Sequence, residues 1–336
     1  MHKALRKRSL LGATAMLFAV LNSQTALAED KIIYQLGWVP GGTNGPIYYG
    51  IEQGYFAEEG LEIEVRSGEG SSDAINRVAS GAADIGVTGI EAVLAAGYEG
   101  QLPVRVIFGL YSAKPDAIFT TADSDIDSID DLAGRRVATA TFSNSNIVWP
   151  LIAEMNGLDL ENVEVIQVDA ASVAPMLAAG RVDAAISWVT VGPLYDELLA
   201  ETGDERVALP WSDFGYSGYG QTLVANTRLI EENPELLERF VRAYARSVAG
   251  AAEDPAAAGA AITALVPEID AEVAGAEFAA SVPLIFNDIS AENGVGMITK
   301  GRLEETWDWV ARSQDFDADA LDPMTMVEMQ FVEAMQ

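Results

Sequence analysis

The chain has 336 residues, 51 Asp+Glu against 20 Lys+Arg, a net charge of −31, no cysteine and a single histidine, His2. A field that negative repels nucleic acid and anionic lipid, and the missing thiols exclude disulfides, cysteine nucleophiles and a lipid-modified cysteine. Beyond His2, neither His nor Cys is left for a His-based triad or the usual zinc sites.

The first predicted element is a secretory leader over residues 1–28: a basic start (Lys3, Arg6, Lys7, Arg8), an apolar run from Leu10 to Leu21, and Ala26-Leu27-Ala28 before Glu29. Its apolar run is shorter than the ~20 residues a membrane span requires. Sec export, cleavage after about Ala28 and a freely diffusing, monomeric periplasmic protein are therefore expected. The leader carries four of the 20 Lys+Arg and none of the 51 Asp+Glu, so its removal takes the net charge from −31 to −35. A solvated acidic surface accounts for that excess, and the scarcity of lysine (Lys31, Lys114 and Lys300 after the leader) fits saline surroundings.

After the leader, apolar runs of strand length alternate with helical stretches. The strands are expected at Lys31–Leu36, Leu61–Val65, Ile85–Val87, Val104–Leu110, Arg136–Ala140, Val163–Val168 and Ala184–Trp188; the helices at Ser72–Ala79, Glu91–Gly97, Asn146–Asn156 and Ser172–Ala179. Alternation of this kind predicts βα units and mostly parallel sheets. One design occurs twice, at Glu64–Val87 and Glu164–Trp188: a strand, a Ser-bearing turn into a helix, then small-Gly-x-x-Asp and another strand. The duplication predicts two similar α/β lobes, one from residues 29–117 plus 223–336 and one from 118–222. From Glu231 onward the chain reads as helical, with Asn233 as an N-cap and Pro234 in the first helical position.

The stretch from Gly37 to Gly89 carries the densest pattern: Gly37-Trp38-Val39-Pro40-Gly41-Gly42-Thr43-Asn44-Gly45-Pro46-Ile47-Tyr48-Tyr49, then Gly68-Glu69-Gly70-Ser71-Ser72-Asp73 opening a helix, then Ser80-Gly81-Ala82-Ala83-Asp84. Further along stand Asp131-Leu132-Ala133-Gly134-Arg135-Arg136-Val137, Leu177 to Ala185, Asp213-Phe214-Gly215 and Asn233-Pro234-Glu235. In this order the motifs resemble the substrate-binding proteins of ABC importers, in the nitrate, sulfonate/taurine and thiamine-pyrimidine branch. The resemblance covers nearly all of the chain after the leader. It implies a two-lobed type II periplasmic binding fold with a helical C-terminal part, a small-molecule ligand, and a permease with its ATPase subunit as partners. Asn44 departs from the branch's His-Ala-Pro-Ile/Leu-Tyr pattern, in which a histidine stands at that position.

Turn amides and hydroxyls at Ser71, Ser72, Ser143 and Asn144 can hold an anionic or carbonyl-bearing ligand or serve as ordinary helix caps. Trp38, Tyr48, Tyr111, Trp188 and Tyr216 lie at or after strand ends, where α/β sheets bind ligands, and can stack on a flat molecule or fill the core. Glu91 can pair with an amino or amidine group or cap the next helix. Asn44 and Asp213 complete the expected ligand-binding set. Pocket cations are scarce, with Lys114 and Arg181 the nearest candidates. The expected ligand is therefore an aminopyrimidine related to thiamine synthesis, with taurine or another alkanesulfonate as the alternative. No metal or cofactor is expected: Asp123-Ser124-Asp125-Ile126-Asp127 lacks the Gly and Glu of a calcium loop. The expected protein is not an enzyme. Pyrimidine synthases of the same superfamily depend on histidine and a Cys-rich iron motif, both missing here; carboxylate-only catalysis is the alternative from another class.

Overall fold

The computed structural model describes residues 30–100 and 102–335. The leader expected at 1–28 lies outside the described residues. Ten strands are present among the described residues: β1 Asp30–Gln35, β2 Leu61–Arg66, β3 Ile85–Gly89, β4 Val104–Gly109, β5 Asp116–Thr121, β6 Arg136–Ala140, β7 Glu164–Val168, β8 Ala184–Trp188, β9 Arg206–Pro210 and β10 Gln221–Asn226. They form two five-stranded sheets of matching order, β2-β1-β3-β10-β4 and β7-β6-β8-β5-β9.

In each sheet one strand runs against the rest. β10 pairs antiparallel with both β3 and β4, and β5 pairs antiparallel with both β8 and β9, while β1–β2, β1–β3, β6–β7 and β6–β8 are parallel. The reversed strand is in both cases the first one entered after the chain crosses from the other sheet. The expected boundaries at 117/118 and 222/223 cut β5 and β10 near their starts, whereas each of these strands belongs wholly to one sheet. β5, β9 and β10 were absent from the strands expected from sequence.

The repeated Asp of the duplicated design has one structural role in both halves. Asp84 accepts the Ile33 N–H of β1 at 2.8 Å, and Asp183 accepts the Arg136 N–H of β6 at 2.8 Å. Each carboxylate thereby satisfies a donor that the parallel ladder leaves unpaired before the next strand begins.

Helices cover both sheets. Pro234–Glu253 starts as expected, with the Asn233 side chain accepting the Leu236 N–H, and it buries Leu236, Leu237, Phe240, Val241 and Tyr244. Phe240 lies 5.4 Å from Phe56 and 5.9 Å from Tyr34, so this helix seals the first sheet. Each such fully buried ring contributes on the order of 1.5–3 kcal/mol. The alanine-dense helix Pro255–Leu265 packs closely on Ala271–Ile285, where a Cβ on Gly259 would stand 2.2 Å from the Ala271 carbonyl oxygen. The second sheet has its own core around Phe119, Val173, Leu177 and Tyr195.

The two crossings, 110–115 and 211–220, lie against each other. Tyr111 accepts the Gly220 N–H and donates its own N–H to Gln221 O, and the Arg302 guanidinium bonds to both Ser112 O (2.8 Å) and Gly218 O (3.0 Å). Arg302 belongs to the helix Lys300–Gln314, whose Trp309 packs edge-on against Tyr216 at 5.1 Å. None of the helices among the described residues is long and apolar enough to cross a membrane.

Candidate ligand cleft

Between the sheets lies a cavity of about 50 Å³. Its lining comes from the carboxyl ends of parallel strands: Trp38 after β1, Ser71 after β2, Thr88 and Gly89 at the end of β3, Ser143 and Asn144 after β6, and Trp188 at the end of β8. Gln221, the first residue of the reversed β10, joins them because its strand begins where the others end. This is the crevice at which α/β sheets place ligands. It forms because the backbone ladder ends there and each chain turns away from its sheet.

Each tryptophan stands half-buried and reaches across. Trp38 belongs to the first half but packs against the core of the second; Trp188 belongs to the second and packs against the core of the first. Behind Trp188, the Tyr111 ring lies edge-on at 6.1 Å.

Polar groups hold the facing turns together. Ser71 Oγ accepts the Gly89 N–H at 2.9 Å and lies 3.4 Å from Asn144 Oδ1, while the Ser72 N–H donates to Phe142 O at 3.3 Å. Asn144 Nδ2 donates to Glu91 Oε2 at 3.0 Å. Within the cavity, Gln221 is 4 % exposed and its amide oxygen has no hydrogen-bond partner. A buried unpaired acceptor of this kind costs about 1–3 kcal/mol until a donor arrives.

Of the twelve residues expected at the site, Trp38, Ser71, Ser143, Asn144 and Trp188 line the cavity. The other seven do not. Tyr48 is buried in the core on the inward face of Gly45–Glu52, and Asn44 is buried beside Thr43. Ser72 contributes its backbone across the halves, and Asp213 is exposed on the return crossing. Tyr111 donates its hydroxyl to Ser281 Oγ at 3.0 Å. Glu91, fully buried, is occupied by protein: Lys114 pairs with it, the Tyr216 hydroxyl donates to it at 2.5 Å, and Asn144 donates to its second oxygen. Sequence reading missed Thr43, Thr88, Ser187 and Gln221; a Gln opening a run with the apolar centre Leu223-Val224-Ala225 was the signal available for Gln221.

Asp116, at the start of β5, completes the network under the cavity. Ser145 Oγ donates to its Oδ1 at 2.5 Å, and its Oδ2 has no partner. Burial, reinforced by the neighbouring Glu91 charge, pushes its carboxyl up to about 7. Two acids around one lysine cannot both hold full charge cheaply out of water. Among the described residues there is no cluster of three or more His, Cys, Asp or Glu able to hold a metal ion.

Residues 43–258, well over half of the chain, match the family described as NMT1/THI5 like. The chain belongs to that family. One relative, the formylaminopyrimidine-binding protein of Halalkalibacterium halodurans, is 28% identical over 250 residues, 72% of this chain and 74% of its own. The riboflavin-binding protein RibY of Chloroflexus aurantiacus is 27% identical over 292 residues, 84% of this chain and 80% of its own. NMT1/THI5-like relatives also include proteins named 4-amino-5-hydroxymethyl-2-methylpyrimidine phosphate synthase, as in Saccharomyces cerevisiae, at 24% identity over 68% of this chain and 69% of theirs. Among solved structures, the alkanesulfonate-binding protein SsuA from Xanthomonas axonopodis pv. citri bound to MOPS superposes with a TM-score of 0.69 at 15% identity, covering 90% of this chain and 99% of that chain. The fold is therefore that of the periplasmic binding proteins, with two mixed sheets flanked by helices.

Proposed function

We propose that this NMT1/THI5-like protein is the periplasmic solute-binding component of an ABC importer. It captures a flat nitrogen heterocycle, an aminopyrimidine of the thiamine-precursor kind, and delivers it to a permease driven by an ATPase subunit. The observation that carries this reading is Gln221. Its buried, unpartnered amide oxygen lines a cavity shared with Trp38 and Trp188, so an exocyclic amino group could satisfy it while the ring meets the indoles. Relatives named for binding formylaminopyrimidine and riboflavin, both flat and nitrogen-bearing, support the same ligand class.

The alkanesulfonate reading has the fold likeness and the Ser71, Ser143 and Asn144 turns in its favour. Against it, no Lys or Arg lines the cavity: Lys114 is buried against Glu91 and Arg181 is exposed elsewhere. A catalytic role is disfavoured because the chain beyond His2 offers no histidine or cysteine.

In the arrangement described, about 50 Å³ holds only a few waters, so the halves must part to admit a heterocycle. The two lobes, joined by crossings 110–115 and 211–220, are proposed to open there and close on the ligand. A thermal-shift screen against aminopyrimidines, flavins, taurine, longer alkanesulfonates and nitrate tests the assignment. Ligand bound to the native state adds about 2.7 kcal/mol at a hundredfold excess over Kd. A shift with pyrimidines alone is expected; a shift with sulfonates alone would overturn the pyrimidine assignment.

A further inference from the structure

A second cavity, about 300 Å³, adjoins the first, and Trp38, Thr43, Ser187 and Val191 line both. It opens between the loop Val39–Gly41, the second-half segment Ala170–Ala174 and the helix Ala271–Ile285. No Lys, Arg or His lines it, whereas four acids do. Glu197, Glu268 and Asp270 are exposed; Glu277 is 3 % exposed. Its Oε2 accepts the Gly42 N–H at 2.5 Å, and among the described residues this is the one hydrogen bond of the side chain and no cation pairs with it.

Holding the Gly42 turn requires only a neutral acceptor, which glutamine would supply. A buried carboxylate instead carries a desolvation cost, increased here by the Glu197 charge, and these hold its carboxyl up at about 7. What a carboxylate adds over an amide is attraction for a cation. The exposed acids at the mouth draw the same kind of molecule inward.

We propose that this cavity is a cation subsite in which Glu277 receives a protonated amine or amidinium carried by the ligand whose ring lies against Trp38 and Trp188. The subsite extends the proposed binding function and rests on its ring seat.

The test is calorimetric titration of the full mature protein with two matched pairs: 4-amino-5-aminomethyl-2-methylpyrimidine against its 5-hydroxymethyl counterpart, and benzamidine against benzamide. The charged member of each pair is expected to bind roughly tenfold to a hundredfold more tightly, the range of a charge-assisted hydrogen bond. In Glu277→Gln, which keeps an acceptor for Gly42, that ratio falls to near one. Val273→Lys, on the same helix four residues earlier and at the cavity wall, is expected to supply a resident ammonium and abolish the ratio by a second route. If neither pyrimidine binds but benzamidine outbinds benzamide in a Glu277-dependent way, the pyrimidine assignment fails and the cation subsite stands. Equal affinities within both pairs, or a ratio unmoved by both variants, would overturn the subsite.

Discussion

At Glu91 and Lys114 the side chains are each 1 % exposed, and Lys114 Nζ also lies 4.7 Å from the centre of the Tyr216 ring. Lys114 and Tyr216 stand on different crossings, and Glu91 follows β3, so one ion pair joins both crossings to the first sheet. Removing one partner strands the other charge out of water, which costs about 3–5 kcal/mol. Lys114→Met is accordingly expected to lose that much in urea unfolding; a loss below about 1 kcal/mol would show that the pair is not buried in solution. Asp116 gives a pH signature. Its native carboxyl titrates near 7, far above the ~3.9 of an unfolded chain, so between those values the native state holds a proton that the unfolded state has released. The stabilisation from this group is complete below about pH 4 and is lost as pH rises through 7. Asp116→Asn should flatten the decline in stability between about pH 4 and 7 relative to the unsubstituted protein, because the acids elsewhere are common to both. Parallel pH profiles for the two proteins would contradict the burial of Asp116.

The facing turns are the elements that would close in the proposed motion. Gly89 has an ordinary extended backbone (φ −69°, ψ 139°), yet a Cβ there would stand 2.3 Å from Asn144 Cγ on the opposite turn. Gly89→Ala is therefore a wedge without backbone strain. Overpacking of this kind costs about 1–3 kcal/mol, so ligand affinity should fall roughly tenfold to a hundredfold while the apo protein folds normally. Unchanged affinity would mean that the turns need not meet in the bound state. Trp38, Ser71, Ser143, Asn144 and Trp188 could be read from sequence because each follows a strand of clear apolar pattern, and strand ends locate a crevice. Tyr48, Tyr111 and Tyr216 could not be separated from them, since their burial is decided by tertiary partners such as Ser281 and Glu91 that are 125 to 170 residues distant for the last two. The strands β5 and β10 escaped for a related reason. Their pairing follows from the crossings, which local periodicity does not report.

Across the whole molecule, a net charge of −31 favours expansion, and the crossings, their ion pair and the helix Lys300–Gln314 oppose it. That helix buries Trp307, Trp309 and Val310 in a core cluster that also contains Ile118, Val137 and Ile186 of the second sheet and Val104, Val106 and Val224 of the first. The halves thus share apolar packing around the crossings and meet through polar turns at the candidate cleft. Such a division is what the proposed opening requires, since neither core would have to unfold. The duplicated sequence design made the two-lobed architecture legible, whereas this shared core depends on contacts between segments far apart in the chain.

The proposed seat holds a flat ligand between Trp38 and Trp188. Its most direct test is calorimetric titration of the mature protein and of Trp188→Ala with 4-amino-5-hydroxymethyl-2-methylpyrimidine. Loss of a stacking indole costs about 1–3 kcal/mol, so the unsubstituted protein should bind and the variant should bind roughly tenfold to a hundredfold more weakly, with little change in melting temperature. Equal affinity in the two proteins would rule out a ring seat at Trp188.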